Sequence, residues 1–298
     1  MANLSATMLR NNYVFFGTPS FAAIILEKLI GNDWVPKALV CNPDRPVGRR
    51  QIITPPPAKT LALKHGVPVF QPANKEALVG VSDELFTEAD FGVLAAYGQI
   101  VPAEVIKKAR LGIIGVHPSL LPKFRGSTPI QSAILEGVSE TGVSLFLMDE
   151  KVDHGPILAQ RKLLLDNLFS NSRELEKRLA ELGAELLVET LPKFVKGEIT
   201  PLPQDEAEAS YTKKFTIEDA YISPEELKAA TSGENKEKVF EIERKIRAFN
   251  PEPGVWTLRQ AQGRPKRIKL LEALIKENKL VLKTIQPEGK KPVNLVTE

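Results

Sequence analysis

From Tyr13 to about Lys196 short apolar runs alternate with amphipathic spans, and that alternation leaves a chain few ways to fold. YVFF (Tyr13 to Phe16) breaks at Gly17-Thr18-Pro19-Ser20 and is followed by FAAIILEKLI, whose apolar residues recur at helical spacing. KALVC, VPVF, FGVLAAY and LGIIGV are further strand candidates. AKTLALKHG, with Gly66 placed to end it, and AEVIKKAR read as the helices between them. Short apolar strands separated by helices predict an α/β fold, Rossmann-like, with a mostly parallel sheet covered on both faces. Ligands of such sheets bind beyond the carboxyl ends of the strands.

TGVSLFLM and ILAQRKLLL read as two later strands, and a long helix follows from Ser172, the expected N-cap, to Val195. After Gly197 the texture changes. TPLPQDEAEASYTKKFT is polar and proline-containing, as a linker is. PEELKAA and KVFEIERKIRAF are helical, and RIKLLEAL and KLVLKTIQ are strand-like runs around polar turns, which predicts a small β-rich appendage. The expected organisation is a catalytic domain over 1–204, with a loose lead over 1–12, and a linker plus small C-terminal domain over 205–298.

Composition closes off several classes. A net charge of +3 confines any basic surface to local patches, and the single cysteine, Cys41, excludes an internal disulfide framework. No run of 18 apolar residues is present, and the lead MANLSATMLRNN lacks the apolar core of a secretory signal, so a cytoplasmic protein without membrane contact is expected.

The chemistry gathers in two segments. VHPSLLPKFRGSTPIQ places His117 between a strand end and a proline-stiffened loop, and MDEKVDHGP places Asp153 on the loop between the two later strands. A histidine there can serve as acid, base or oxyanion partner, and a carboxylate beside it orients the ring. A histidine before a proline is also an ordinary loop residue satisfied by backbone; the coincidence of His117, Ser119 to Pro122 and Asp153 where a crevice is expected favours the chemical role. GTPSF opens a helix after a strand, but one glycine falls short of a dinucleotide fingerprint. His65 and His154 show no metal-ligand spacing, so no metal is expected, and Cys41 reads as a small buried strand residue. CNPDRPVGRRQIITPPP carries Arg45, Arg49 and Arg50 in an exposed loop, which suits either a phosphate-rich partner or plain solvation.

Taken together, VHPSLLPKFRG and TGVSLFLMDEKVDHGPIL resemble the signature of the folate-dependent formyltransferases. FFGTPSFAA, NPDRPVGRRQIITPPPAK, GVPVFQP and EIERKIRAFNPEPG narrow the likeness to members that formylate methionine esterified to initiator tRNA, over nearly the whole chain from Tyr13 to Pro292. The resemblance implies transfer of a formyl group from 10-formyltetrahydrofolate, as co-substrate, to the α-amine of methionyl-initiator tRNA, with His117 and Asp153 stabilising the tetrahedral intermediate and moving the proton. It implies folate contacts at Ser119, Leu120, Leu121 and Pro122, at Ala96, Tyr97, Gly98, Gln99 and Ile100, and at Met148 and Asp149. It implies tRNA contacts at Arg45, Arg49 and Arg50, a reduced barrel-like C-terminal domain that binds tRNA through basic clusters, and a monomer. One departure stands out. The family's asparagine, two residues before the histidine, falls on Gly115. Loss of one such oxyanion donor costs about 100- to 1000-fold in rate, unless a group such as Gln131 replaces it. Two readings follow from it, a compensated active enzyme or a weakly active or inactive tRNA-binding relative, and a formyltransferase for a small amine such as a nucleotide sugar or glycinamide ribonucleotide stands beside them as an alternative. If the asparagine's place is simply vacant, Gly115→Asn should raise the rate.

Overall fold

The computed structural model describes residues 12–48, 50–165, 171–260 and 264–295. The lead before Asn12, and Arg49, lie outside the described residues. The chain divides into two compact units, one of Met1–Arg125, Thr141–Leu163 and Lys177–Tyr211, the other of Gly126–Glu140, Leu164–Glu176 and Thr212–Glu298.

In chain order the elements begin with β1 (Tyr13–Gly17), α1 (Ser20–Ile30), β2 (Ala38–Val40), β3 (Arg45–Val47), β4 (Ile52–Thr54), α2 (Pro57–Lys64) and β5 (Val69–Phe70). They continue with α3 (Lys75–Phe86), β6 (Phe91–Ala95), α4 (Ala103–Lys108), β7 (Ile113–His117), α5 (Pro129–Glu136), β8 (Glu140–Leu147), β9 (Ile157–Leu164) and α6 (Ser172–Val195). Seven strands form one sheet in the order β5-β2-β1-β6-β7-β8-β9. The pairs from β5 to β7 are parallel, and β8 runs antiparallel to β7.

Continuous apolar runs make these strands because both faces are covered: all five residues of β1 and all five of β7 are buried. On one face Phe16 meets Phe86 and Tyr97 within a cluster that also holds Val14, Val40, Leu78, Val105 and Ile113. On the other, Phe194 of α6 meets Phe91 edge-on at 5.7 Å. Each buried aromatic or aliphatic side chain of this kind contributes about 1.5–3 kcal/mol.

Two expectations from sequence need correction. The helix α6 is capped one residue earlier than the serine: Asn171 Oδ1 accepts from Glu174 N at 3.1 Å, while Ser172 donates to Asn250 O. The basic loop after β2 is a two-stranded hairpin, β3 paired antiparallel with β4, its turn closed by Gln51 N donating to Gly48 O.

In the second unit, α7 (Pro224–Ser232) starts with a reciprocal cap between Ser223 and Glu226, and α8 (Lys236–Phe249) buries Val239, Ile242, Ile246 and Phe249 along one stripe. A second sheet follows, β10 (Trp256–Arg259), β11 (Lys266–Lys276), β12 (Lys279–Pro287) and β13 (Val293–Asn294), paired antiparallel in sequence order. Asn250 ties helix to sheet, donating to Ile246 O, Leu270 O and Leu271 O.

Candidate active site

The strand order reverses between β1, which leads outward to β2 and β5, and β6, which leads to β7. Loops leaving such a switch point diverge and leave a crevice. Gly17 and Ala95, the last residues of β1 and β6, are direct partners, so the turn at Thr18 and the loop Ala96 to Ile100 start side by side. Ala96 (φ 47°) and Gly98 (φ 85°) take that loop through the left-handed region. Thr18 Oγ1 and Asn42 Nδ2 both donate to Tyr97 O, at 2.9 and 3.0 Å, and Gln99 Nε2 donates to Asn42 Oδ1 at 2.7 Å. The Tyr97 ring itself belongs to the core, where burial raises its hydroxyl to about 12. Ala96, Gly98 and Ile100 are exposed. Met148 packs against the same core cluster, and Asp149 meets His154 Nδ1.

Behind this loop lies a polar brace. Lys59 Nζ reaches Asp44 at 2.8 Å and Gln71 Oε1 at 2.7 Å, and Gln71 donates back to Asn42 O. The bonds from Lys59 and Gln71 hold the Asp44 carboxyl below its usual range. Cys41 is buried beside the brace, and desolvation pushes its thiol up to about 11, which leaves it inert.

His117 closes β7 and is 6% exposed. Its Nε2 lies 2.8 Å from Phe124 O. A carbonyl only accepts, so Nε2 carries a proton, and Nδ1 is the nitrogen left to face outward. Asp153 Oδ2 stands 3.6 Å from Nδ1. That is an ion-pair distance, too long for a direct hydrogen bond. Asp153 sits at φ 48°, a region sparsely used by residues with a side chain, and such backbone clusters at functional sites. Gly155 follows because nothing larger fits: a Cβ there would lie 1.7 Å from Leu147 O.

The SLLP segment is held from beneath by Ser144 of β8. Its hydroxyl donates to Ser119 O at 2.7 Å and accepts from Leu121 N at 2.9 Å and from Gln160 Nε2 at 2.7 Å. Ser119 and Leu121 are buried, while Leu120 and Pro122 are partly exposed, and the Leu121-Pro122 peptide is cis.

Gly115 pairs with Phe146 across β7 and β8. A Cβ at 115 would lie 2.4 Å from Phe146 Cε1 and 2.5 Å from Cζ. Any side chain at 115 would therefore require the Phe146 ring to shift. Gln131, weighed from sequence as a substitute donor, lies on α5 in the second unit.

Gln204, Glu206 and Tyr211 carry no sequence signal of a role, and all three bond to Arg125 of the KFRG segment, a basic residue that the sequence places near the site. Arg125 is fully buried, Glu206 Oε1 meets its Nη2 at 2.6 Å, and Tyr211 Oη accepts from Nη1 at 2.9 Å. Gln204 accepts from the same guanidinium and donates onward to Asp153 O at 2.9 Å. The segment that reads as a linker thus belongs to the first unit as far as Tyr211 and holds a short 3-10 turn, Glu206–Glu208, because a buried guanidinium needs acceptors there. Arg45 and Arg50 are exposed on the β3–β4 hairpin, beside exposed Val47, Ile52 and Ile53.

A Rossmann-like sheet with a histidine and an aspartate meeting at the end of β7 defines a class, and the family described as formyl transferase matches residues 11–191. Among curated proteins, the methionyl-tRNA formyltransferase of Enterococcus faecalis is 41% identical over 247 residues, 83% of this chain and 75% of that protein. That of Lactobacillus gasseri is 35% identical over 309 residues, covering 96% and 93%. The chain belongs to the formyl transferase family, as a folate-dependent formyltransferase on the methionyl-tRNA formyltransferase branch. A solved N-formyltransferase from Helicobacter canadensis, in complex with folinic acid and dTDP-3-aminofucose, superposes with a TM-score of 0.63 at 20% identity, over 89% of this chain and 88% of that one, a likeness of fold. No helix among the described residues is long and apolar enough to cross a membrane.

Proposed function

We propose that this chain passes the formyl group of 10-formyltetrahydrofolate to the α-amine of methionine esterified to initiator tRNA. One observation carries the reading: His117 Nδ1 and Asp153 Oδ2 face each other at 3.6 Å beyond the carboxyl end of β7. The folate co-substrate supplies an activated one-carbon group. The loop Ala96 to Ile100 and the braced segment Ser119 to Pro122 suit a flat ring bound partly through backbone groups, and they are the residues that would hold it.

With Nε2 committed to Phe124 O, His117 meets the reacting atoms through Nδ1. With both ring nitrogens protonated, His117 acts as an imidazolium whose Nδ1–H stabilises the negative charge that develops on the formyl oxygen, and the Asp153 carboxylate favours that cationic form of the ring. As the new C–N bond forms and the bond to N10 breaks, the proton leaving the attacking amine passes to N10 by way of Asp153 or a water beside it. Gly115 offers no side-chain donor, and a Cβ there would press on the Phe146 ring, so this stabilisation falls chiefly to His117. That supports a slower enzyme, and it is the observation that keeps the weakly active relative as a second reading. Arg45 and Arg50, on an exposed hairpin, suit the phosphates of an acceptor stem, as does Arg49 on sequence grounds. Purified protein incubated with charged initiator tRNA and formyl donor should yield formylmethionine. A chain that binds the tRNA and yields none is the inactive relative; one that formylates a nucleotide-linked amino sugar and leaves the tRNA untouched is the small-amine enzyme.

A further inference from the structure

Arg125 is fully buried, and its guanidinium bonds to Gln204, Glu206 and Tyr211, all within the segment 204–211. Gln204 Oε1 accepts from its Nε at 3.1 Å and its Nη2 at 2.9 Å. With its oxygen occupied in this way, the amide can only be oriented with Nε2 outward, and Nε2 donates to two carbonyls of one loop, Asp153 O at 2.9 Å and Gly155 O at 2.8 Å. On the other side of Arg125, its chain neighbour Phe124 supplies the carbonyl that holds His117 Nε2, and Arg125 N donates to Ser210 O at 2.8 Å. One residue thus fixes the histidine through its backbone neighbour and the aspartate through its side chain.

We propose that Arg125 and Gln204 are positioning residues that set the spacing between His117 and Asp153, an inference that rests on these two carrying formyl transfer. The staple is needed because Asp153 occupies the left-handed region at φ 48° and Gly155 passes against Leu147 O. Pinning the Asp153 and Gly155 carbonyls to one amide anchors the chain that leaves the left-handed turn; released, the turn relaxes toward ordinary dihedrals and carries the carboxylate away from Nδ1. A displacement of about 1 Å at a reacting group costs about 100-fold.

Gln204→Glu separates positioning from support. The carboxylate still accepts from Arg125, but it has no N–H to donate and repels both carbonyls. For formylation of charged initiator tRNA, kcat should fall by about 10- to 100-fold with KM for the formyl donor held within about 2-fold, the thermal midpoint should be retained, and the ring nitrogen resonances of His117 should move while those of His65 stay. Should that variant fail to fold, Gln204→Asn, one methylene too short to reach the loop, reads the same split. Wild-type kcat and an unmoved His117 spectrum in the folded variant would overturn the proposal while leaving the formyl-transfer reading intact. A wild-type protein that makes no formylmethionine would instead reject that reading.

Discussion

His117 and Asp153 are held by backbone geometry as much as by each other. The Phe124 carbonyl fixes one ring nitrogen, and the left-handed turn at Asp153 aims the carboxylate at the other. Replacing either side chain by alanine should slow formylation by about 100- to 10,000-fold, the range of a single proton-transfer group, with an unchanged circular dichroism spectrum; an unaltered rate would remove the residue from the mechanism. Gly115 behaves differently from a simple vacancy. Because any side chain at 115 would require the Phe146 ring to shift, Gly115→Asn alone overpacks a buried strand pair, at about 1–3 kcal/mol in stability, and should not accelerate the reaction. Only combined with Phe146→Ala should the asparagine find room, and the double variant should then outrun Gly115→Asn in a stopped assay. The glycine was visible in the sequence as a departure from the family motif. Its cause was not, since Phe146 faces it only through the register of two strands whose pairing no local pattern reports.

At the scale of elements, legibility followed burial. The strands β1, β6 and β7 are continuous apolar runs because parallel strands are covered on both faces, and they stand out for that reason. The helix α3 does not: the polar Ser82 takes a place in its buried stripe between Leu78 and Leu85, and the sequence marks no element between Phe70 and Phe91. Its start does carry a signal, since Asn74 Oδ1 accepts from Ala77 N at 2.9 Å, and Asn74→Ala should lower stability by about 1 kcal/mol in chemical denaturation. The segment 200–211 looks solvated from its composition, yet Gln204, Glu206 and Tyr211 are the acceptors of an arginine about eighty positions earlier, a dependence that composition cannot express. The β3–β4 hairpin presents Arg45 and Arg50 without burying them. Alanine at both should raise KM for tRNA and reduce the salt dependence of binding by about one unit of slope for each phosphate no longer neutralised, while leaving KM for the formyl donor alone; a salt slope that does not change would detach the hairpin from tRNA.

For the molecule as a whole, charge sets an acid limit. Arg125 holds the Glu206 carboxyl low, Lys59 and Gln71 do so for Asp44, and Lys213 with Thr216 brings Asp219 down to about 2. Folded values below unfolded ones of about 4 mean that this stability is complete above that range and is lost as pH falls through the folded values. Glu176, raised by burial, works in the opposite sense but stands against several lowered carboxyls. The melting temperature should therefore drop as pH falls from about 4 to about 2, between the unfolded and the lowered folded values; a flat profile would contradict the assigned ion pairs. The central claim is that a histidine and an aspartate at one strand end move a formyl group onto an amine carried by tRNA. Single-turnover formylation of methionyl-initiator tRNA by the wild type and by Asp153→Ala tests it most directly. Formylmethionine from the wild type, with a rate at least about 100-fold lower in the folded variant, is the predicted result, and equal rates, or none from the wild type, would contradict it.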